Sequence, residues 1–435
     1  MQFMPAPLTP IPSPGKGEGS VVSRYATLKI MEAFMPRALL YSLLLAALLA
    51  GCASAPKEPA KTAVVCPPAP PCPACPGVVT PPPPAKPLQA ATWADLPGWQ
   101  DDDVQAAWGP FLESCKSLQR QPLWKETCAA AKALPAADKA DAARLRAFFE
   151  ARMSPWQAAN PDDSREGLVT GYYEPLLKGA RNRTSAARYP LYGVPEDLLT
   201  IELSDVYPEL KHMRLRGRLE GNKVVPYWSR AELDKRSKQL ADKVLLWVND
   251  PIEAFFLQIQ GSGRIELPDG SLVRVNYADQ NGHPYRSIGR WLIDKGELNA
   301  DQASMEGIKA WALAHPERLE DMLDTNPSYV FFRTLGKGDG GPPGALGLPL
   351  TPGRSVAVDP KHIPLGAPLF LATTWPQTAK PLNRLMFAQD TGGAIRGVVR
   401  ADFFWGFGAE AGAQAGRMKQ KGRIWVLMPN GYAPK

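Results

Sequence analysis

Hydrophobic and polar positions along this chain fall into two textures. Over residues 129–153 the apolar positions Leu145, Phe148, Phe149 and Met153 recur at helical spacing in a stretch rich in Ala, Lys, Arg and Glu. That spacing predicts a helix with one buried face. Residues 168–175, 245–259 and 272–277 are instead rich in β-branched and aromatic side chains bounded by Gly, Pro, Asn or Asp, and they read as strands. Residues 303–323 return to helix, broken or kinked near Pro316. Beyond Asn326-Pro327 strand-like segments follow at 329–333, 355–359, 369–372, 385–390, 397–404 and 423–428. Few helical patterns interrupt this run, which disfavours a doubly wound parallel sheet and favours a β-barrel. The expected fold is mainly β with an α-helical N-terminal part.

The amino-terminal pattern is different again. Residues 35–52 read MPRALLYSLLLAALLAGC: Arg37, then an apolar run too short for a comfortable membrane span of ~20 residues, then small residues ending at Cys52. Leu49-Ala50-Gly51-Cys52 resembles a bacterial lipoprotein box, in which the cysteine becomes the acylated first residue. An ordinary secretory signal or a short anchor is the alternative. Ala53 after the cysteine favours the outer membrane, and the start is expected at Met31 or Met35. Much of the proline excess (46 in all) falls in residues 53–91, an extended tether that cannot bury a core. Cys66, Cys72 and Cys75 lie in it. The Cys72-Pro-Ala-Cys75 spacing lacks both the context of a redox site and a second pair for zinc. Cys115 and Cys128 flank a helical segment and are expected to form a structural disulfide in an exported protein.

Composition narrows the function. The 435 residues carry 50 Lys+Arg against 43 Asp+Glu, a net charge of +7 that gives nucleic-acid binding no special support. Four dispersed histidines make no HExxH, so no metal is expected. Gly336-Lys-Gly-Asp-Gly-Gly341 satisfies GxGxxG formally but runs into Pro342-Pro343, and neither a P-loop nor a G-x-S-x-G elbow occurs. Carboxylates remain. Asp359 and Asp390 close apolar strands, and Asp402 sits within another. If one barrel gathers them, with Gly392-Gly393 allowing close backbone approach, like charge and partial burial would raise a pKa toward that of a general acid. Each aspartate taken singly is more often a strand-end turn former.

Longer motifs then appear in order: Gly171-Tyr172-Tyr173-Glu174-Pro175, Gln258-Ile-Gln-Gly-Ser-Gly263, Asn281-Gly-His-Pro-Tyr-Arg-Ser-Ile-Gly289, Asn326-Pro-Ser-Tyr-Val-Phe-Phe-Arg333 and Ala388-Gln-Asp-Thr-Gly-Gly-Ala-Ile-Arg-Gly397. Together they resemble the membrane-bound lytic murein transglycosylase A family from Trp93 to the C-terminus, with a C-terminal part similar to the 3D domain of cell-wall lytic factors. The resemblance implies a double-psi β-barrel from residues 93–171 and 326–435. A second, barrel-like β-domain, 172–325, is inserted and forms the other wall of a glycan groove, after a leader (1–52) and a tether (53–92).

By the same resemblance Asp390 is the catalytic acid and Asp359 and Asp402 are its supporting carboxylates. Thr170, Tyr173, Gln260 and Ser262 fall in segments that line the groove, and Tyr172, Gly261, Gly263, Tyr329, Gly392 and Gly393 are further candidates for glycan contact. Tyr285 and Trp405 join Tyr172, Tyr173 and Tyr329 as candidates for stacking on sugars, with core packing the alternative. Glu174 stands where a short polar residue is also seen, and Thr391 where Val can occur. The implied reaction cleaves the N-acetylmuramic acid–N-acetylglucosamine bond of peptidoglycan, exolytically and without cofactor, leaving a 1,6-anhydro end. Implied partners are peptidoglycan strands, the outer membrane through the lipid, and other cell-wall enzymes or scaffolds. The implied location is the periplasmic face of that membrane. The alternatives are a non-catalytic peptidoglycan-binding lipoprotein and an inverting murein hydrolase.

Overall fold

The structure, a computed structural model, describes residues 84–134, 141–210, 213, 215–336, 338 and 340–434. The leader, Cys52, and the tether with its three cysteines lie outside the described residues. Every described element belongs to the unit Thr80–Lys435.

The described chain opens with β1 (Leu88–Ala90), α1 (Val104–Leu118), α2 (Pro122–Lys132) and α3 (Ala142–Arg152). Asp103 caps α1 by accepting the Ala106 N–H, Pro122 opens α2 where its missing N–H costs nothing, and Asp141 caps α3. The single helix expected over 129–153 is therefore two helices, each with its own start signal. The expected disulfide is present: Cys115 on α1 joins Cys128 on α2 with Cα atoms 5.4 Å apart.

β2 (Met153–Ala158) and β3 (Gly167–Glu174) follow. At Pro175 the chain leaves for a second sheet and its satellites: β4 (Leu176–Ala180), β5 (Tyr189–Tyr192), β6 (Leu199–Ile201), β7 (Leu215–Glu220), β8 (Lys223–Pro226), α4 (Arg230–Lys235), β9 (Val244–Val248), α5 (Pro251–Gln260), β10 (Ser262–Glu266), β11 (Leu272–Gln280), α6 (Ile288–Asp294), α7 (Met305–Ala314), α8 (Leu319–Asp324) and β12 (Val330–Thr334). It returns as β13 (Ser355–Ala357), β14 (Pro368–Thr374), β15 (Pro381–Asp390), β16 (Arg400–Phe407), α9 (Gly408–Arg417) and β17 (Lys419–Pro429).

The first sheet has the order β1-β2-β17-β14-β15-β13-β16-β3, and β17 also pairs with β3. The strands from β17 round to β3 therefore close on themselves. Lys419–Gly422 of β17 face β3, and Arg423–Val426 face β14. Closure leaves those six strands without an exposed edge, while β2 and β1 extend from β17, and α1 and α3 pack on the outside through Trp108, Phe111 and Phe149. Covered on both faces, β14 is buried almost throughout, which is why it reads as an unbroken apolar run. The second sheet runs β12-β11-β10-β4-β9-β5, and β6-β7-β8 form a small sheet of their own.

Three expectations need correction. Of residues 245–259 only the start is strand; from Pro251 the segment is α5, because Asp250 accepts the N–H groups of Ile252 and Glu253 and Pro251 takes the first helical position. β3 stays paired with β16 as far as Glu174, so the crossing falls at Pro175 rather than at 172. β12 pairs with β11, so the return lies beyond Thr334 rather than at 326.

Candidate active site

Asp390 ends β15 at an irregularity. Ala388 pairs with Val356 and Asp390 with Ala357, so Gln389 is skipped. Such a bulge breaks the alternation of faces and re-aims neighbouring side chains. Gln389 turns to α1, where its amide donates to the Pro110 carbonyl and to Ser114 Oγ, both at 3.0 Å. Its carbonyl accepts from Ser355 Oγ. Asp390 is half-buried beside a small apolar cluster of Tyr172, Leu350, Ala357, Ile395 and Phe404. Its Oδ1 accepts two backbone N–H groups, from Thr391 at 2.9 Å and Ala345 at 3.0 Å. Its Oδ2 accepts the Tyr172 hydroxyl at 2.9 Å.

Burial pushes the Asp390 pKa up to about 6, against the pull of these three donors. The charge of Asp402 adds only the smallest contribution, so the like-charge effect expected from the sequence is subordinate to desolvation. Tyr172 is held neutral: burial first, then the Asp390 charge, lift its phenol well above the ordinary value.

Asp390, Ala357, Asp402 and Thr170 occupy one row across four neighbouring strands. The two aspartates thus flank β13, with Cα atoms ~10 Å apart at ordinary strand spacing. Asp402 accepts the Thr170 hydroxyl at 2.5 Å, and Arg400 donates to the same Thr170 oxygen at 2.8 Å. Burial raises the Asp402 pKa as well, with Thr170 and Arg400 opposing. Asp359 departs from the expected trio. Its buried carboxylate accepts the N–H groups of Gly397 (2.9 Å) and Lys361 (3.2 Å), so it braces the loop that carries Gly392 and Gly393.

The two motifs expected to line the groove do meet. The Tyr173 N–H donates to Gln260 Oε1 at 3.1 Å, and Arg264 N–H to the Pro175 carbonyl at 2.8 Å. Gly261, at φ +77°, ends α5 in the left-handed conformation that lets Ser262 start β10 at once. A Cβ on Gly263 would strike Leu257 at 2.4 Å, so this glycine serves packing. Ser262 is buried at 5% exposure. Tyr173 is half-buried with its ring against Gly412 of α9.

Among the stacking candidates, Tyr329 is corrected outright. At 4% exposure it lies in a core cluster, with Arg230 over its ring, and offers no face to a sugar. Tyr172 is likewise buried against Phe404 and acts through its hydroxyl. Trp405 packs on Phe403 and donates to Met418 Sδ. Tyr285 remains exposed.

Sequence reasoning missed Ala345, whose segment follows the discounted glycine-rich stretch. It missed Gln389, although the residue stands inside a quoted motif. It also missed the pairing of Glu174 with Arg264 at 2.9 Å. Asn281 and Asn326, quoted for resemblance, are staples: Asn281 accepts from Tyr329 N–H and donates to Trp228 and Pro327 carbonyls, and Asn326 accepts from Arg286 N–H. Among the described residues no helix is long and apolar enough to cross a membrane, and no cluster of three His, Cys, Asp or Glu could hold a metal.

Two family models match the chain: the MltA specific insert domain over residues 168–333 and the 3D domain over 354–428. The membrane-bound lytic murein transglycosylase A of Escherichia coli (strain K12) is 35% identical over 280 residues, 62% of this chain and 68% of the relative. Among solved structures, MltA from Neisseria gonorrhoeae is 41% identical, covering 80% of this chain and 94% of that one, with a TM-score of 0.69. E. coli MltA with bound chitohexaose is 28% identical, over 80% of this chain and 96% of that one, with a TM-score of 0.60.

Proposed function

The chain belongs to the membrane-bound lytic murein transglycosylase A family, and from that premise we propose that Asp390 is its single acid and base, working in a glycan groove. The protein is a peptidoglycan lytic transglycosylase, a lyase of the cell wall. The observation that carries the assignment is the state of Asp390: a half-buried carboxyl with a pKa of about 6, so that an appreciable fraction is protonated near neutrality.

Because two backbone N–H groups occupy Oδ1, the transferable proton belongs on Oδ2, beside Tyr172. From there it passes to the oxygen linking N-acetylmuramic acid C1 to N-acetylglucosamine. The carboxylate left behind is stabilised by the same three donors. It then takes the proton of the muramic C6 hydroxyl as that oxygen closes on C1. The nucleophile is part of the substrate, so proximity replaces activation of a water by a second carboxylate.

Asp402 with Thr170 and Asp359 with its loop support the acid. Thr170, Tyr173, Gln260, Gly261, Ser262, Gly392 and Gly393 form the groove, with Gly263 packed behind it. The contact of the Tyr173 backbone with Gln260 and the chitohexaose bound by the E. coli relative both support this reading. The closed barrel is a double-psi barrel and the second sheet an inserted domain, the arrangement that best accounts for the two crossings. The relatives' name carries membrane attachment, and in this chain a lipid on Cys52 at the periplasmic face of the outer membrane supplies it.

The test is digestion of purified sacculi by the parent and by Asp390→Asn, with muropeptides weighed by mass spectrometry. Anhydro product from the parent and a ~10²–10⁴-fold loss in the variant are expected. Product heavier by one water would assign a hydrolase, and full activity in the variant would remove Asp390 from the chemistry.

A further inference from the structure

At the far end of β15 from Asp390, ~20 Å away at strand rise, lies a second cleft of about 460 Å³ between the start of α1 and the β14–β15 hairpin. Its lining is polar: Asp101, Asp103, Arg354, Trp375, Asn383 and Arg384. Most of its charges are already spent on the fold. Arg354 is buried, donates to both oxygens of Asp102 and to the carbonyls of Leu385 and Asp103, and cannot turn to a ligand. Asp102 additionally accepts the Leu385 N–H.

Arg384 is different. Half-buried, it lies over the half-exposed ring of Trp375, 5.7 Å from the centroid. Among the described residues it has no ion-pair partner and no hydrogen-bond acceptor. Burial, with a smaller effect from the neighbouring Arg354, disfavours its charge, and the charges of Asp102 and Asp103 offset this only in part. Across the same cleft stand the exposed carboxylates Asp101 and Asp103, the latter partly occupied by the Ala106 N–H.

A planar guanidinium with its donors free takes a carboxylate bidentately, and a carboxylate opposite takes an ammonium. We propose that this cleft binds a zwitterionic amino-acid end, namely that of a peptidoglycan stem peptide, as a site separate from the glycan groove. The inference rests on the reading of peptidoglycan as substrate. Within that polymer the choice is made by charge: the N-acetylated sugar backbone has no ammonium, whereas a stem ending in a diamino acid carries both charges. A volume of this size suits a ligand of a few residues. Holding the stem here keeps the enzyme on the wall while leaving the groove free for glycan.

The test is calorimetric titration of the protein with the tripeptide N-acetyl-L-Ala–γ-D-Glu–meso-diaminopimelate, whose one free amine is that of the diamino acid, alongside chitohexaose. The parent should bind the tripeptide. Arg384→Gln should weaken it by about 10- to 100-fold, the range for a lost hydrogen bond to a charged group. Acetylation of the peptide's free amine should weaken it similarly, and chitohexaose affinity should stay as in the parent. Should Arg384→Gln fail to fold, Asp101→Asn probes the ammonium side alone, with the same loss expected. No tripeptide binding at millimolar concentration, displacement of the tripeptide by chitohexaose, or equal affinity in the variants would overturn the proposal. Failure of tripeptide binding with anhydro product still released sinks only this site. Absence of anhydro product sinks the reading it rests on.

Discussion

Tyr172 gives its hydroxyl hydrogen to Asp390 Oδ2 across 2.9 Å from β3, a strand that shares no ladder with the acid's own β15. The bond favours the carboxylate, so it lowers a pKa that burial raises. Tyr172→Phe should therefore lift the Asp390 pKa above about 6 and move the alkaline limb of the activity profile upward. Loss of one hydrogen bond of ~1–1.5 kcal/mol should cost roughly tenfold in turnover. Anhydromuropeptide release across pH measures both. A limb that stays put would remove Tyr172 from control of the acid.

The raised pKa of Asp390 also has a cost in stability. Its folded value, about 6, exceeds the ordinary 3.8. The stabilising contribution of the protonated form is therefore complete below 3.8 and is lost as pH rises through about 6. Asparagine is never charged, so Asp390→Asn should be more stable than the parent at about pH 8, by ~1–3 kcal/mol, with the gap closing near pH 4. Chemical denaturation at the two pH values reads the difference. Equal stabilities at both would mean that the carboxyl is well hydrated.

Much of this arrangement is legible in the sequence, and the failures have physical causes. Strands closing at Asp390 and Asp359 stand out because both sheet faces are covered and the apolar runs end sharply in carboxylates. Residues 251–259 mislead because Ile252, Phe255, Phe256 and Ile259 look strand-like, and the decisive signal is the Asp250-Pro251 start. β12 is assigned to the wrong sheet because a strand's partner is a tertiary fact that its own residues do not encode. Tyr172 reads as a sugar platform, since composition cannot say whether an aromatic's face or its hydroxyl is used.

Asp402 and Asp359 should fail differently. Asp402→Asn removes the smallest of the influences on Asp390, one that raises its pKa, so the activity profile should slide slightly toward lower pH. Asp359→Ala removes the acceptor of the Gly397 N–H, which loosens the loop over residues 391–397. Its damage should be to stability and KM, with the pH profile unmoved. Profiles that shift alike in both variants would contradict this division.

The Cys115–Cys128 bridge ties α1 to α2, and α1 is the helix against which Gln389 is anchored. Cys115→Ser should lose ~2–4 kcal/mol of stability. Reductant should lower the parent's Tm toward the variant's and leave the variant's unchanged. A parent indifferent to reductant in the unfolded state would show that the bridge adds nothing.

Gln389 is the residue on which the acid's position most depends without touching the reaction. It is fully buried, and its amide uses three partners: the Pro110 carbonyl, Ser114 Oγ and Ser355 Oγ. Gln389→Leu keeps most of the volume but strands these groups in an apolar setting, at ~1–3 kcal/mol for each left unsatisfied. The bulge that aims Asp390 would then have no anchor on α1. Stability should fall by about 2–4 kcal/mol, and turnover should fall even well below the unfolding transition, because the acid's Oδ1 loses its register with the Ala345 and Thr391 N–H groups. Gln389→Glu, assayed at low pH where the buried carboxyl is protonated and can donate once, should recover part of the turnover. Full activity in Gln389→Leu despite the lost stability would reduce Gln389 to a packing residue.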